Sequence, residues 1–215
     1  MKRIQACIFD LDGVIVDTAK HHYLAWKRLA EDLNIEFTER DNERLKGVSR
    51  MDSLEILLEL GGKTLDMEEK LILAQKKNNW YTEYISEMDE SEILPGVIEF
   101  LDMLRNSGIK ISLGSVSKNA TTILNKINLL KYFDAIIDGN KVKRAKPDPE
   151  VFLKGAEELH VLPENCLVFE DAAAGIEAAL SAGMYSIGIG SPEILYKANK
   201  VIPGFEKINL DILNL

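Results

Sequence analysis

Cysteine is nearly missing from this chain. Only Cys7 and Cys166 occur among 215 residues, each inside an apolar run, so they read as small core residues rather than as a redox pair or metal site. Positive charge is also scarce. With 26 Lys and Arg against 35 Asp and Glu, the formal net charge is −9, which argues against nucleic acid or an anionic membrane as a partner. An anionic small ligand would need a local cluster of Lys and Arg. No uninterrupted apolar run approaches the roughly 20 residues of a membrane span, and there are no internal repeats or low-complexity linkers. Met1-Lys2-Arg3-Ile4 leads directly into the first predicted strand and leaves no room for a signal peptide, so the cytoplasm is the expected location. An apolar content of 46% with 28% charged residues is ordinary, and the length suits one core or a core plus a smaller lobe.

What is present begins at residues 7 to 13, Cys-Ile-Phe-Asp-Leu-Asp-Gly, an apolar run ending in two carboxylates. A buried strand of a parallel sheet delivers whatever follows its carboxyl end into a binding crevice. Two acids that close together call for a cation. Further strands are predicted at Ile109 to Ser115, about Ala135 to Asp138, Leu167 to Glu170 and about Ser186 to Ile189. A helix carries Val97, Phe100, Leu101 and Leu104 up to Gly108, and others are expected around 119 to 127, 149 to 159 and 173 to 182. Strands alternating with such helices imply an α/β fold built on a doubly wound parallel sheet.

Between residues 19 and 88 the period becomes helical. Tyr23, Trp26, Leu29, Ala30 and Leu33 recur at spacings of three and four, as do Leu71, Ala74, Asn78, Tyr81 and Ile85. The expected organisation is a catalytic core of residues 1–16 plus 89–215, with residues 17–88 as an inserted helical-bundle cap.

Four polar groups fall at predicted strand ends: Asp10 and Asp12; Ser115, Ser117, Lys118 and Asn119; Lys146; Glu170 and Asp171. Alone, each has a plain structural reading as an N-cap, a solvated loop or a helix-dipole partner. Together on one edge of one sheet they suit phosphoryl transfer to a carboxylate. Asp10 can act as nucleophile and Asp12 as general acid/base. Mg²⁺ would take oxygen ligands from Asp10, Asp12, Glu170 and Asp171, while Ser115 and Lys146 stabilise the transferring group.

Asp10-Leu11-Asp12-Gly13-Val14, Ser115-Val116-Ser117-Lys118, Lys146-Pro147 and Glu170-Asp171-Ala172-Ala173-Ala174-Gly175-Ile176 resemble, in order over the whole chain, the motifs of the haloacid dehalogenase superfamily. The resemblance implies a Rossmann-like core, an aspartyl phosphate, Mg²⁺ and a helical cap after strand one. Asp17-Thr18-Ala19-Lys20-His21-His22, Trp26-Lys27, Leu45 to Ser53 and Lys76-Lys77-Asn78 are similar to the superfamily's glucose-phosphate mutases. That likeness implies interconversion of β-glucose 1-phosphate and glucose 6-phosphate through a bound bisphosphate. It makes Thr18 and His22 hinge residues that hold Asp12. Arg50 offers a fork for a distal phosphate, joined by resemblance by Ser117 and Asn119, with Val116 and Lys118 alongside. Lys46, Gly47, Val48, Ser49, Ser53 and Lys77 would line the sugar-facing wall; Trp26 stands open between core packing and that wall.

Ala172 stands where the family usually has serine, and the isomer of Lys146-Pro147 is open. A phosphatase using the same aspartyl phosphate, and a silent phosphosugar-binding module, are the competing functions. The expected partner is a small phosphosugar and the expected state a monomer.

Overall fold

The computed structural model describes residues 4–45 and 48–214. Six strands form one parallel sheet: β1 (Ala6–Phe9), β2 (Lys110–Gly114), β3 (Ala135–Ile137), β4 (Cys166–Glu170), β5 (Tyr185–Ile189) and β6 (Lys200–Ile202). Their order is β3-β2-β1-β4-β5-β6, so the chain reverses direction across the sheet beside β1, where such sheets bind ligands. Every residue of β1 is buried, as its unbroken apolar run demands of a central parallel strand.

Alternation along the strands sends side chains to two layers. On one face Cys7, Phe9, Ile111, Leu113, Leu167 and Phe169 pack with Phe100 and Leu104 of α5 (Val97–Asn106) and Ile123 of α6 (Ala120–Lys126). Phe9 and Phe169 stack at 4.7 Å, with Phe205 6.0 Å from Phe9. On the other face Ala6, Ile8 and Val168 meet Phe152 of α7 (Glu150–Glu158) and Ala178 and Ala179 of α8 (Ala173–Ser181). Both cysteines are free and buried.

Four helices stand between β1 and α5: α1 (Ala19–Asp32), α2 (Glu39–Glu43), α3 (Arg50–Leu60) and α4 (Met67–Ser86). They enclose a separate apolar cluster of Trp26, Leu29, Ala30, Leu54, Leu57, Leu58 and Ala74. Their starts are locally encoded. Thr38 and Asp41 form a capping box, as do Asp66 and Glu69, and the Ser49 hydroxyl accepts from the Asp52 N–H. The far end of α4 leaves this cluster, and Tyr81 and Ile85 join the apolar layer over the sheet.

The strands expected from sequence are present with ends moved by a residue or two, so that Asp10 lies just beyond β1. β6 was not expected. It is a three-residue edge strand, Lys200-Val201-Ile202, with no buried residue, and carries no apolar run to announce it. No helix among the described residues is long and apolar enough to cross a membrane.

Candidate active site

The turn after β1 carries Asp10, Leu11, Asp12 and Gly13. Gly13 has a φ of +77°, and a Cβ there would collide with the Asp171 carboxylate, so glycine is what lets the first loop lie against the fourth. Gly175 serves the neighbouring wall, where a Cβ would run into the Glu170 side chain.

Asp10, Glu170 and Asp171 each offer a carboxylate oxygen, and these atoms lie within 4.8 Å of one another. Lys146, on the segment after β3, reaches in from the side. Its Nζ donates to Asp10 Oδ1 at 2.6 Å and to Glu170 Oε2 at 2.8 Å, and its peptide bond to Pro147 is cis. Glu170 also accepts from the main-chain N–H groups of Asp171 and Ala172 at 3.2 and 3.0 Å. Burial raises the Glu170 carboxyl to about 7 against the pull of Lys146. Burial likewise opposes the Lys146 charge, but Asp10 and Glu170 outweigh it and hold the ammonium above its ordinary range. Three carboxylates thus converge at the sheet edge, two of them sharing the Lys146 ammonium. An oxygen-rich, anionic donor set of this kind fits a hard divalent cation such as Mg²⁺.

The Asp12 side chain is not part of that trio. It accepts a hydrogen bond from the Thr18 hydroxyl, and His22 Nε2 lies 3.9 Å away. Burial, then the charge of Asp10, raises Asp12 to about 6. That places it between its two protonation states near neutrality, as an acid/base needs. The Asp12 carboxylate is turned toward the start of α1 and stands outside the carboxylate trio of Asp10, Glu170 and Asp171.

Across from Asp10, a cavity of about 460 Å³ is walled by both groups of elements. From the sheet side come Ser115, Val116, Ser117, Lys118 and Asn119; from the helices come His22, Trp26, Val48, Ser49, Arg50, Ser53, Lys77 and Tyr81. Trp26 settles as both, buried in the helical cluster and lining the cavity. Lys46 and Gly47 lie outside the described residues. The loop after β2 is self-bracing, with Ser115 Oγ accepting from the Ser117 N–H at 3.2 Å and Ser117 Oγ from the Asn119 N–H at 3.3 Å. Asn119 Nδ2 then donates to Asn78 Oδ1 of α4 at 3.1 Å, tying the sheet's loop to the helical wall.

Lys77 is the most unusual group in the cavity wall. Its side chain is buried, its Nζ lies 3.0 Å from His22 Nδ1, and it sits 4.7 and 4.6 Å from the ring centroids of Trp26 and Tyr81. Among the described residues no carboxylate pairs with it. Burial, then the nearby Arg50, lowers Lys77 to about 7, and burial with Lys77 and Arg50 holds His22 well below its usual range, so its imidazole is neutral. Arg50 itself stands in the first turn of α3, without a carboxylate partner among the described residues. Lys77 and Arg50 thus form a cationic wall on an acidic protein, facing the cavity that Asp10 also opens into. Sequence reasoning missed Tyr81 and Asn42 in this wall; Tyr81 was visible only as a periodic apolar position.

A buried nucleophile candidate beside a lysine and two further acids, at the carboxyl edge of a parallel sheet, defines a phosphoryl-transfer site of the haloacid dehalogenase type. The family model for haloacid dehalogenase-like hydrolases matches residues 7–189, and the chain belongs to that family. Within it, the chain is 43% identical to β-phosphoglucomutase of Bacillus subtilis, over 98% of this chain and 94% of the relative. The crystal structure of β-phosphoglucomutase from Clostridium difficile superposes with a TM-score of 0.94 at 46% identity, covering 98% of this chain and 96% of that one. A phosphorylated carbohydrates phosphatase of Thermotoga maritima is 36% identical over 86% of this chain and 84% of its own length.

Proposed function

We propose that this chain is a β-phosphoglucomutase, an isomerase that interconverts β-glucose 1-phosphate and glucose 6-phosphate through β-glucose 1,6-bisphosphate. The observation that carries the reading is a cavity with two kinds of wall. On the sheet side stand Asp10, with Lys146, Glu170 and Asp171 around it, and on the helical side Arg50 and Lys77, for which there is no carboxylate partner within ion-pair distance among the described residues. A bisphosphate has an anion for each side, and the nearly full-length likeness to named β-phosphoglucomutases supports the assignment.

In the proposed cycle Asp10 carries the phosphoryl group. The C6 hydroxyl of β-glucose 1-phosphate attacks its phosphorus as Asp12 takes the hydroxyl proton, and the bond to Asp10 breaks. The bisphosphate reorients, Asp10 attacks the phosphorus at C1, and Asp12 returns the proton to the departing C1 oxygen. Glucose 6-phosphate leaves and the phospho-enzyme is restored. Thr18 and His22 hold Asp12; Lys146 and Ser115 stabilise charge on the transferring oxygens. Arg50, Ser117 and Asn119, with Val116 and Lys118 beside them, receive the distal phosphate. Trp26, Val48, Ser49, Ser53 and Lys77 form the sugar-facing wall, to which the family resemblance adds Lys46 and Gly47. Asp10, Glu170 and Asp171 are the residues that would hold Mg²⁺, which when bound neutralises phosphate charge.

On this reading residues 17–88 are a cap over a core of residues 1–16 and 89–215. On the same reading the protein works as a cytoplasmic monomer. The cap excludes water from the phospho-enzyme, which separates mutase from hydrolase.

A sugar-phosphate phosphatase is the second reading, favoured by the Thermotoga maritima relative. Supplying β-glucose 1-phosphate, Mg²⁺ and a trace of bisphosphate separates the two. Formation of glucose 6-phosphate far faster than free phosphate, with the α anomer inert, supports the mutase. Rapid phosphate release with little isomer overturns it.

A further inference from the structure

The buried ammonium of Lys146 is delivered by a stretch of chain that has no regular structure of its own. No helix or strand covers residues 138–149, and Lys143-Arg144-Ala145-Lys146-Pro147-Asp148-Pro149 offers no apolar period and lacks two N–H donors. Yet Lys146 Nζ reaches Asp10 and Glu170 at 2.6 and 2.8 Å, contacts that a displacement of about 1 Å would abolish. Among the described residues the main-chain groups of Lys146 have no hydrogen-bond partner. Its place is therefore set by the residues on either side.

Glu150, in the first turn of α7, closes those residues on one another. Its Oε2 accepts from the main-chain N–H groups of Lys143 and Arg144 at 3.1 and 2.9 Å, and its Oε1 pairs with Lys154 of the same helix at 2.8 Å. Lys154 first, then the Arg144 and Lys143 N–H groups, hold the carboxyl down at about 2, so it is ionised near neutrality. Inside this bracket Asp148 closes a smaller one. Its N–H donates to the Ala145 carbonyl at 3.0 Å, its Oδ1 accepts from the Glu150 N–H at 3.0 Å, and its Oδ2 meets Arg144 at 3.0 Å. Lys146 is enclosed by both. Phe152 of α7 lies under the ammonium, its ring centroid 4.8 Å from Nζ, so one helix end sets the loop and the floor beneath the lysine.

An acid in the first turn of a helix has a plainer use, in complementing the helix dipole. The direction of Glu150 goes beyond that: the N–H groups it accepts from belong to the loop and not to α7.

We propose that Glu150 is a positioning residue that holds Lys146 against Asp10 through the main chain of residues 143–145. This rests on the reading of Lys146 as the group that stabilises the transferring phosphoryl oxygens. A bracket of this kind needs an acceptor of the right reach, whereas service to the helix dipole or to Lys154 needs a charge. The two roles therefore predict opposite behaviour for glutamine, which keeps the reach and one acceptor oxygen but not the charge.

The test compares Glu150→Gln with Glu150→Ala in kcat, KM for β-glucose 1-phosphate, thermal midpoint, and the NMR signal of the Lys146 ammonium, assigned by its loss in Lys146→Met. In Glu150→Ala, kcat should fall roughly 10- to 100-fold, the cost of misplacing a reacting group by about 1 Å. KM should stay within about twofold, and the ammonium signal should shift or broaden as the ammonium loosens. Glu150→Gln should keep kcat within about threefold, since a neutral acceptor makes a weaker bond than a carboxylate, and should keep the ammonium signal.

A lowered midpoint in both variants with kcat and the ammonium signal unchanged overturns the proposal, because Glu150 would then serve only the helix. So does a raised KM at constant kcat, which would make the loop a sugar-phosphate contact, and so do equal losses of kcat in the two variants. If Glu150→Ala does not fold, Glu150→Gln still decides: a tenfold loss of kcat, or loss of the ammonium signal, refutes the bracket. Full turnover in Lys146→Met would refute the role given to Lys146 itself, while the ammonium signal in the Glu150 variants would still report whether Glu150 holds it.

Discussion

Replacing Lys77 by methionine should stabilise the protein, and by an amount that depends on pH. The ammonium is buried between the rings of Trp26 and Tyr81 with a neutral imidazole as its near polar neighbour. Its fall from the ordinary 10.5 to about 7 corresponds to about 5 kcal/mol of disfavoured charge, at ~1.4 kcal/mol per pH unit. Because the folded value lies below the unfolded one, the unfolded chain holds more protons between pH 7 and 10.5. Wild-type stability therefore gains with rising pH across that window. Below pH 7 the penalty is complete; above 10.5 it has vanished.

Methionine has a similar reach and no charge to desolvate. Urea unfolding of wild type and Lys77→Met, followed by the fluorescence of Trp26 and Trp80 from pH 6 to 10.5, should show the variant more stable at pH 6. The gap should close by several kcal/mol toward pH 10.5, and effects common to both proteins cancel in the difference. A gap that does not move with pH would refute the reasoning, as would a wild type more stable than the variant at pH 6. The same substitution should weaken sugar-phosphate binding, because an arriving anion is what makes the Lys77 charge favourable.

Asp10→Asn should abolish the alkali- and hydroxylamine-labile phospho-enzyme detected with radiolabelled bisphosphate; persistent labelling would remove Asp10 as nucleophile. Arg50→Ala removes a charge-assisted fork and should weaken bisphosphate binding roughly 10- to 100-fold at an unchanged thermal midpoint, as read by calorimetry. Lys146→Met leaves Asp10 and Glu170 buried without their cation and should lower stability by about 3–5 kcal/mol, with part recovered in excess Mg²⁺. Mg²⁺ should raise the wild-type thermal midpoint but not that of Asp171→Asn; equal shifts in both would place the metal elsewhere.

The sheet and its reactive edge were legible because buried parallel strands are apolar runs, and the residue that ends each run must face the crevice. That logic found Asp10, Ser115 and Glu170, and the α1 and α4 periodicities found the helices. It fails where a side chain's direction is set by a turn. β1 stops at Phe9, so strand alternation says nothing of Asp12, and its carboxylate turns to Thr18 instead of joining Asp10, Glu170 and Asp171. It fails again at β6, held only by its pairing with β5. The convergence of Lys146, Asp10 and Glu170 was legible from their places at strand ends, but not that one ammonium would donate to both carboxylates, since that depends on side-chain directions set by the folded loops.

Tyr81 shows the deeper limit of periodicity. Spacing placed it on the same stripe as Ala74 and Ile85, yet along that one stripe α4 changes partners. Ala74 packs among the helices, while Tyr81 and Ile85 pack over the sheet. Between them the helix presents Lys77 to the cavity and Asn78 to Asn119. One helix thus carries a cavity lysine, a tether to the loop after β2, and the ring beside His22. Lys77 meets His22 and His22 lies beside Asp12, so a displacement of α4 that moves Lys77 also changes the surroundings of the proposed acid/base.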